Sequence, residues 1–435
     1  MARLCVNAPS IVNPTSVPPV AGHPGFQRVW FASGPYAVKL RAIMTAFDYQ
    51  PRTRLVFGEG CVAQLGALAR ALGGQRVLLV TDPGLVAAGH ADRARDILLQ
   101  AGLDVVLFDQ VRENPTTGCV DRCLEIAREG RVDLLVGLGG GSAMDTAKGC
   151  NFLLTNGGQI HDYWGVGKAT QPMLPFIAIP TTAGTGSECQ SAALIADEQT
   201  HQKMACLDPK AAARVALLDP ALTVSQPPAV TAHTGVDALT HSVETAVTRK
   251  RNPLSRMFSH EAFRLLVPAL PRVLQDPHDL EARGQMLLGA AYAGLAIENS
   301  MLGAAHAAAN PLTAQLDVTH GEAVGIMLPA VVRFNAHDPD CRLAYAELAS
   351  TPEIACVSEG LERAVNALCA RLESLLNQAG IARSLAAIGA AGARIPALAE
   401  AAARQWTANF NPRPVTAADF ARLYAETFEP RGDGA

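Results

Sequence analysis

The sequence predicts an α/β domain with a mostly parallel sheet, followed by an all-α domain. Between residues 53 and 223, short apolar β-branched runs alternate with helical stretches, which is typical of βαβ units. After residue 228 the strand signals end and long helical runs follow. The 435 residues suffice for two or three domains of roughly 150 residues each. We therefore predict an extension at 1–43, an α/β domain at 44–223 and a helical domain at 224–435.

The composition excludes several classes of protein. A hydrophobic share of 49% and a charged share of 17% are typical of a globular protein and exclude disorder for most of the chain. The net charge of -4 gives no basic excess for nucleic acid or an anionic membrane, and no apolar run reaches about 18 residues. The ten cysteines form no CxxC motif or paired spacing, so we expect a reducing, cytoplasmic setting. Cys119 and Cys123 share a helix spacing and are expected to be buried and inert.

Residues 1–43 differ from the rest because they contain six prolines and no Asp or Glu. Such a segment buries little apolar surface, so we expect a disordered extension, with the folded part beginning near Met44. An upstream start codon would also account for it. A transit peptide is the alternative, but the prolines oppose the amphipathic helix that such peptides form.

Individual elements follow from the same patterns. Strands are predicted at 53–57, 77–81, 105–108, 134–137, 176–179 and 215–218. Helices in the second half are predicted at 255–267, 284–296 and 360–377. A sheet domain followed by a helical domain leaves a cleft at their junction, where ligands commonly bind.

A glycine-rich turn follows the fourth predicted strand. Gly139, Gly140 and Gly141 precede a helix that begins near Ser142, and three glycines let the backbone approach a ligand closely. The free N–H groups at the helix start then favour a phosphate. The alternative is a plain capped helix, because Ser142 and Asp145 have the spacing of a capping box.

Two further segments fit a dinucleotide. Residues 180–188 follow the fifth strand and carry two glycines and four hydroxyls, those of Thr181, Thr182, Thr185 and Ser187. In a parallel sheet this loop and the glycine-rich turn meet at the carboxyl edge. Asp82 follows the second strand, where a carboxylate binds ribose hydroxyls and disfavours a 2′-phosphate, so it points to NAD(H) over NADP(H). The alternatives are an ordinary polar loop for 180–188 and a helix cap for Asp82.

Four potential metal ligands lie in the helical half. Asp237 and His241 are spaced i, i+4 and share a helix face, while His306 and His320 follow in small-residue surroundings. One carboxylate and three imidazoles suit Fe²⁺ or Zn²⁺. A histidine in such surroundings is more often a packed core residue, and five other histidines compete on sequence grounds: His161, His201, His233, His260 and His337.

Together these residues resemble the iron-dependent, or group III, alcohol dehydrogenase family over roughly residues 53–423. The motifs that carry the resemblance are residues 139–148, 180–188, 218–223, 235–241, His306, 319–321 and 411–413. The resemblance implies a dinucleotide-binding α/β domain, a helical metal domain and a homodimer. It implies a divalent ion, Fe²⁺ or alternatively Zn²⁺, held by Asp237, His241, His306 and His320. It also implies cofactor contacts from Asp82, Gly141, Ser142, Thr181 and Thr185, with Leu222 near the nicotinamide.

One position departs from the family pattern. Four residues after the His306-type ligand, many members carry a second histidine thought to move the proton, and this chain has Asn310. An asparagine can hydrogen-bond a substrate but cannot act as general base. We hypothesise that the proton leaves through water and the cofactor ribose hydroxyls instead.

We expect a metal-dependent oxidoreductase that moves a hydride between NAD(H) and a small primary alcohol or aldehyde. The metal motifs at 233–244 and 303–329 contain no Lys or Arg, which favours an uncharged substrate. The first alternative is a hydroxyacid-oxoacid transhydrogenase of the same family. A dehydroquinate-synthase-type lyase would need several cations around its substrate, and a non-catalytic binding protein would have no chemical reason to retain all four ligands.

Overall fold

The first half of the chain forms two sheets in the computed structural model, which describes residues 46–200, 202–316 and 318–429. The strands are β1 (Arg54–Phe57), β2 (Arg76–Val80), β3 (Asp104–Phe108), β4 (Leu134–Gly139), β5 (Gly165–Val166), β6 (Phe176–Pro180), β7 (Ala192–Ala196), β8 (Lys203–Leu207) and β9 (Val215–Leu218). The larger sheet has the order β1-β9-β6-β4-β2-β3, and all its neighbouring pairs are parallel. Its six strands confirm the six predicted ones. The predicted extension at 1–43 lies outside the described residues.

A smaller sheet of order β5-β8-β7 was not predicted. Strand β7 reads Ala-Ala-Leu-Ile-Ala and β8 reads Lys-Met-Ala-Cys-Leu, so neither is rich in the β-branched and aromatic residues that mark a strand. Antiparallel pairing of β7 with β8 stabilises both strands, and β7 packs on a helix of the larger layer. Tertiary contacts therefore override weak local propensity here.

The helices are α1 (Leu65–Ala71), α2 (Pro83–Ala87), α3 (His90–Gln100), α4 (Thr117–Glu129), α5 (Gly141–Asn156), α6 (Pro228–Thr245), α7 (Pro253–Gln275), α8 (Leu280–Glu298), α9 (Ala304–Leu316), α10 (His320–Asn335), α11 (Pro339–Ser350), α12 (Leu361–Gln378), α13 (Ile395–Ala403) and α14 (Ala417–Glu426). From α6 onward every regular element of the described residues is helical, which confirms the predicted fold class. The boundary between 223 and 224 stays a prediction. None of these helices is both long and apolar enough to cross a bilayer.

The three predicted helices correspond to α7, α8 and α12, but α7 runs further than predicted. It continues through Pro268 and Pro271 to Gln275. A proline within a helix removes one backbone hydrogen bond. The helix continues because Leu266 and Leu270 are buried there and α7 packs along α8.

Helices cover both faces of the parallel sheet. Leu78 and Val80 of β2 share a buried cluster with residues of α4 and α5, whereas Val77 and Leu79 cluster with residues of α1 and α3. The alternation follows from the two-residue period of a strand. The carboxyl ends of β2, β4 and β6 face the helical half, because Asp82, Gly140 and Thr181 line one cleft with residues of α6, α9 and α10.

Helix α6 is enclosed by its neighbours. It packs against α7, α8 and α10, and from Gly235 to Thr245 every residue is buried. A helix buried on all sides holds its polar side chains in fixed positions. This helix carries the predicted ligands Asp237 and His241.

Two glycines fix the loop at 180–188 against the helical half. Gly186 has φ +63°, and a Cβ there would lie 2.7 Å from the Cα of Gly294 in α8. A Cβ on Gly294 would collide with the carbonyl oxygen of Gly186. Backbone therefore packs directly on backbone, and neither position has space for a side chain.

We expect Gly294→Ala to lower the free energy of unfolding by about 1–3 kcal/mol, because the methyl group forces the two backbones apart. Gly392→Ala is the matched control, since its nearest atom would be Phe428 Cζ at 3.5 Å, and it should change stability by less than about 0.5 kcal/mol. Urea unfolding followed by circular dichroism measures both. Equal midpoints for the two variants would contradict the packing argument.

Candidate active site

A cleft of about 1000 Å³ opens at the carboxyl edge of the parallel sheet and extends into the helical half. It is lined by all but one of the predicted site residues: Asp82, Gly140, Gly141, Ser142, Asp145, Thr181, Thr182, Thr185, Ser187, Asp237, His241, His306, Asn310 and His320. The exception is Leu222, which is 2% exposed and packs in the core beneath the sheet. One cavity thus brings together the predicted cofactor loops and the predicted metal ligands.

The glycine-rich turn leads directly into α5. Gly140 is the N-cap residue, and no side chain caps the helix, so the capping-box alternative is wrong. Asp145 lies too far into the helix and turns away from its start. Its Oδ1 accepts from Ser187 Oγ at 2.8 Å and its Oδ2 from Leu194 N at 3.2 Å. The N–H groups at the start of α5 remain available to an anion.

A buried lysine ties α5 to the hydroxyl-rich loop. Lys148 is 1% exposed, and four acceptors surround its three N–H groups: Nζ lies 2.7 Å from Ser187 O and 2.9 Å from each of Ser187 Oγ, Gln190 O and Ala192 O. Burial lowers the pKa of Lys148, and the nearby carboxylate of Asp145 partly opposes that shift. The hydroxyl of Ser187 is therefore occupied by Asp145 and Lys148. Ser187, Asp145 and Lys148 thus hold the loop against α5.

Two hydroxyls of the loop face the cleft with fewer partners. The Oγ1 of Thr182 is buried and has no hydrogen-bond partner within the described ranges. The Oγ1 of Thr185 accepts from Ser187 N at 3.2 Å and keeps its own hydrogen to donate. A buried hydroxyl without a partner is costly, so the cleft is built for a polar ligand at this wall.

Asp82 caps a helix and also lines the cleft. It is the N-cap of α2, where Oδ1 accepts from Leu85 N at 3.1 Å. The helix-cap alternative is thus confirmed. Because only Oδ1 makes this bond, the other carboxylate oxygen is free for a ribose hydroxyl.

The carboxylate of Asp237 and three imidazoles converge at the helical end of the cleft. The Oδ1 of Asp237 lies 3.3 Å from His241 Nε2, 3.4 Å from His306 Nε2 and 3.8 Å from His320 Nε2. Ligand atoms of Asp237, His241 and His306 all lie within 4.8 Å of one another. The rings of His241 and His306 stack at 4.8 Å, and the ring of His320 lies 5.3 Å from that of His306.

Charge and burial oppose each other in this cluster. Burial alone would raise the pKa of Asp237, but the neighbouring imidazoles hold it well below its usual range. Burial lowers the pKa of His241 to about 4 and that of His320 to about 3, so both imidazoles are neutral near pH 7 and each keeps a free lone pair. Burial would also lower the pKa of His306, but the carboxylates of Glu244 and Asp237 raise it to about 9. The cluster therefore favours positive charge at its centre.

Glu244 orients the His306 ring and was missed from the sequence. Its Oε2 lies 2.6 Å from His306 Nδ1, and its Oε1 accepts from Ala305 N at 2.6 Å. The ring therefore donates from Nδ1 and presents Nε2 to Asp237, the arrangement found behind metal-bound histidines. The sequence spacing could have identified Glu244, because it follows Asp237 by seven residues and lies on the same face of α6.

The remaining motifs position the ligand helices. A Cβ on Gly321 would overlap His233 O, so only glycine lets the start of α10 approach α6 and bring His320 to the cluster. Asn411 accepts from Ala304 N at 3.2 Å, which satisfies the first turn of α9, the helix that carries His306. Arg413 donates to Phe334 O at 2.8 Å. The 411–413 motif is thus structural.

The competing histidines lie apart from the cluster or have other partners. His233 lines the cleft and bonds through Nδ1 to Thr319 Oγ1 at 2.7 Å. His161 pairs with Asp197 at 2.9 Å, and His260 contacts Thr351 at 3.0 Å. His337 is exposed, and His201 lies outside the described residues.

Lys203 and Gln405 also line the cleft and were missed. Lys203 comes from β8, so a positive charge does enter from outside the metal motifs. Lys203 is exposed at the mouth of the cleft; partial desolvation of its ammonium group lowers its pKa, and the carboxylates of Asp145, Asp237 and Glu113 oppose that shift. Gln405 contacts Asn310, whose Nδ2 donates to Gln405 Oε1 at 3.0 Å. Neither Lys203 nor Gln405 belongs to a motif that would have identified it from the sequence.

The donor set fits a divalent ion. Asp237 Oδ1 and His306 Nε2 are buried, face each other and lack a hydrogen bond among the described residues. Such paired orphan atoms are expected where a cation is held between them. One carboxylate with three imidazoles suits iron or zinc.

Comparison with known proteins places the chain in a family. The model of the iron-containing alcohol dehydrogenases matches residues 51–220, and the model of the C-terminal part of that family matches residues 231–428. The chain is 33% identical to the NAD-dependent methanol dehydrogenase of Bacillus methanolicus over 87% of its own length and 99% of the relative's. It is 38% identical to alcohol dehydrogenase 4 of Schizosaccharomyces pombe over 71% and 73% of the two chains.

The chain belongs to the iron-containing alcohol dehydrogenase family. The solved structure of a 1,3-propanediol oxidoreductase superposes with a TM-score of 0.85 at 32% identity, covering 88% of this chain and all of the other. Family membership confirms the predicted fold class and enzyme class, an NAD-dependent alcohol dehydrogenase. It does not favour the transhydrogenase, the lyase or a non-catalytic binding protein.

One buried carboxyl of the hydroxyl-rich loop remains outside the cleft. Glu188 is 1% exposed, its Oε1 has no hydrogen-bond partner within the described part of the chain, and burial raises its pKa from 4.5 to about 7. Because its pKa is higher in the folded protein than in the unfolded chain, Glu188 contributes most to stability below pH 4.5. That contribution is lost as the pH rises to about 7.

We expect the free energy of unfolding to fall between pH 5 and pH 8 by about 2–3 kcal/mol more in the wild type than in Glu188→Gln, since each pKa unit corresponds to about 1.4 kcal/mol. Glu400→Gln, at an exposed position, is the control and should keep the wild-type slope. Urea unfolding at a series of pH values measures the slope. An identical slope in Glu188→Gln would show that Glu188 is already ionised at pH 5.

Proposed function

We propose that this protein oxidises small, uncharged primary alcohols with NAD⁺, and reduces the matching aldehydes with NADH, at an ion held by Asp237, His241, His306 and His320. The observation that supports this most directly is the convergence of one carboxylate oxygen and three imidazole nitrogens in a cleft that also contains the start of α5. The methanol and propanediol enzymes among the relatives act on small alcohols, as their names state.

Iron(II) is the proposed ion and zinc the alternative. A bound divalent cation would act as a Lewis acid that lowers the pKa of the substrate hydroxyl and polarises the aldehyde carbonyl. The residues of the chain prepare for it. His241 and His320 are held neutral by burial, and Glu244 fixes the ring of His306 so that Nε2 faces Asp237.

The cofactor is proposed to lie along the cleft from Asp82 to the ligand cluster. The N–H groups at Gly141 and Ser142 would bind the pyrophosphate, and Asp82 would bind a ribose through its free oxygen. Thr181, Thr182 and Thr185 would line the nicotinamide half, together with Gly140. Asp145 and Ser187 would act indirectly by holding this loop, and Leu222 would support it from the core.

An uncharged substrate is still proposed although Lys203 lines the cleft. Its positive charge lies near three carboxylates, those of Asp145, Asp237 and Glu113, so the cleft has no excess of positive charge for an anionic substrate. An uncharged alcohol carries no charge that the cleft would have to balance.

Proton transfer needs a route that does not use position 310. Asn310 is neutral and already donates to Gln405, so it cannot accept the substrate proton. We retain the route through water and the cofactor ribose hydroxyls.

We also propose a homodimer in the cytoplasm, with the boundary between the α/β and helical domains near residue 223. Free thiols such as those of Cys61, Cys119 and Cys206 support a reducing compartment. The dimer rests on family membership alone.

The proposed function is tested by chelating the purified protein, reloading it anaerobically with Fe²⁺ or Zn²⁺ and measuring NADH oxidation with short aldehydes. Turnover should return with one ion. His241→Ala and His306→Ala should bind less than about a tenth of the wild-type metal by elemental analysis, because each removes one of four ligands. The exposed His337→Ala is the matched control and should bind metal normally. Full metal content in both ligand variants would refute the assignment.

Asp82 is proposed to select NAD(H) over NADP(H). We expect Asp82→Ser to reduce that preference about tenfold or more, because serine keeps the helix cap but removes the negative charge that repels a 2′-phosphate. Steady-state kcat/KM values for both cofactors measure the ratio. An unchanged ratio would place the selecting residue elsewhere in the cleft.

A further inference from the structure

The segment between β9 and α6 forms part of the cleft wall. Ser225, Gln226 and Pro227 all line the cleft, and Gln226 is half-buried. The Oγ of Ser225 lies 2.8 Å from the Nε2 of His90, the first residue of α3, which attaches this segment to the α/β half. The side chain of Gln226 attaches the segment at two further points.

The amide of Gln226 has one orientation. Its Nε2 donates to the carbonyl oxygen of Thr181, directly after β6, and its Oε1 accepts from Thr231 Oγ1 at 3.2 Å. The hydroxyl of Thr231 accepts in turn from Arg283 Nη1 at 3.0 Å. Because a guanidinium only donates and a carbonyl oxygen only accepts, the two ends of this chain of hydrogen bonds exclude the rotated amide.

Arg283 anchors this chain of hydrogen bonds from the core. It is 3% exposed, and its Nε donates to Pro277 O at 2.9 Å. Burial lowers the pKa of Arg283, and no carboxylate opposes that shift in the part of the chain that the structure describes. A buried cation without a carboxylate is costly, so it depends on charge-assisted bonds to neutral oxygens, which are strong. The hydroxyl of Thr231 therefore accepts from Arg283 and turns its own hydrogen towards Gln226.

Gln226 keeps unused hydrogen-bonding capacity beside the glycine-rich turn. One hydrogen on Nε2 and one lone pair on Oε1 have no partner among the described residues, because its two bonds use one of each. The carbonyl that Gln226 binds belongs to the peptide between Thr181 and Thr182, and the buried Thr182 Oγ1 is also unpartnered within the described ranges. A Cβ on Gly140 would lie 3.3 Å from Thr182 Oγ1. Unpaired polar groups therefore gather next to the start of α5.

We propose that Gln226 binds the ribose of the nicotinamide half of NAD(H), and that Thr231 is the positioning residue for its amide. The proposed pyrophosphate site is at Gly141 and Ser142, and this ribose is the next group of the cofactor towards the ligand cluster. Ribose hydroxyls donate and accept, so they can use both the free hydrogen and the free lone pair of Gln226. A phosphate only accepts and would leave the lone pair unpaired.

The assignment rests on the proposed function, because it assumes that NAD(H) lies along the cleft. The test compares ADP with ADP-ribose, which differ by this ribose, in calorimetric titrations of the metal-loaded enzyme. The wild type should bind ADP-ribose more tightly than ADP. In Gln226→Met that gain should fall about three- to tenfold, the effect of one neutral hydrogen bond, while ADP binding stays the same. Gln378→Met, at an exposed helix end, is the matched control and should keep the wild-type ratio.

A pair of variants at Thr231 separates the hydrogen bond from packing, and it decides the question if Gln226→Met does not fold. Thr231→Val keeps the shape of the side chain but removes the hydroxyl, so it should reduce the gain from the ribose as Gln226→Met does. Thr231→Ser retains the hydroxyl and should keep the wild-type ratio. A role in packing alone would give the reverse order, because serine lacks the methyl group.

The three ligands ADP, ADP-ribose and NADH distinguish the other contacts that Gln226 could make. An equal loss for ADP and ADP-ribose would place the contact at the pyrophosphate, and a loss seen with NADH alone would place it at the nicotinamide. Either result would overturn the ribose assignment, as would an unchanged ratio in both Gln226→Met and Thr231→Val or a wild type that gains nothing from the ribose. Absent aldehyde turnover with normal ADP-ribose binding would contradict the proposed function and leave this assignment standing.

Discussion

The burial of two carboxylates on one enclosed helix is the constraint on which the helical half depends. Asp237 and Glu244 are 5% and 4% exposed, and both lie on α6. A buried carboxylate is costly unless positive charge or hydrogen-bond donors surround it. The His306 ring and the N–H of Ala305 meet that need for Glu244, and a cation held between Asp237 and the imidazoles would meet it for Asp237, which brings α9 and α10 against α6. The helix packing and the ligand geometry are therefore one requirement.

The same physical logic recurs in the α/β half with the opposite sign. Lys148 is buried as a cation, and loop carbonyls together with Ser187 Oγ surround its ammonium group. Because these acceptors belong to the residues that follow β6, the lysine draws the hydroxyl-rich loop onto α5. The start of α5 and the loop therefore keep a fixed separation. A dinucleotide requires that separation, since its phosphates and its nicotinamide bind at different points of the cleft.

The six strands of the parallel sheet could be predicted because each is a short apolar run between turns, whereas β7 and β8 could not, since their stability comes from pairing with each other. Pro268 ended a predicted helix early because local chemistry does not report the packing of α7 on α8. In the site, the i, i+4 spacing of Asp237 and His241 follows from helix geometry alone. The addition of His306 and His320 needed the family resemblance, and Gln405 needed the three-dimensional structure because it contacts Asn310 across 95 residues of sequence.

The amide at position 310 decides what this turn of α9 can do. An imidazole at that point would be titratable and would add its charge next to a cluster that already contains three imidazoles and two buried carboxylates. An amide is neutral at every pH at which the protein folds, so it leaves the charge balance of the cluster to its own members. It also needs partners, and Gln405 accepts from only one of its two N–H hydrogens. The position therefore offers hydrogen bonds to the cleft and takes no part in moving a proton.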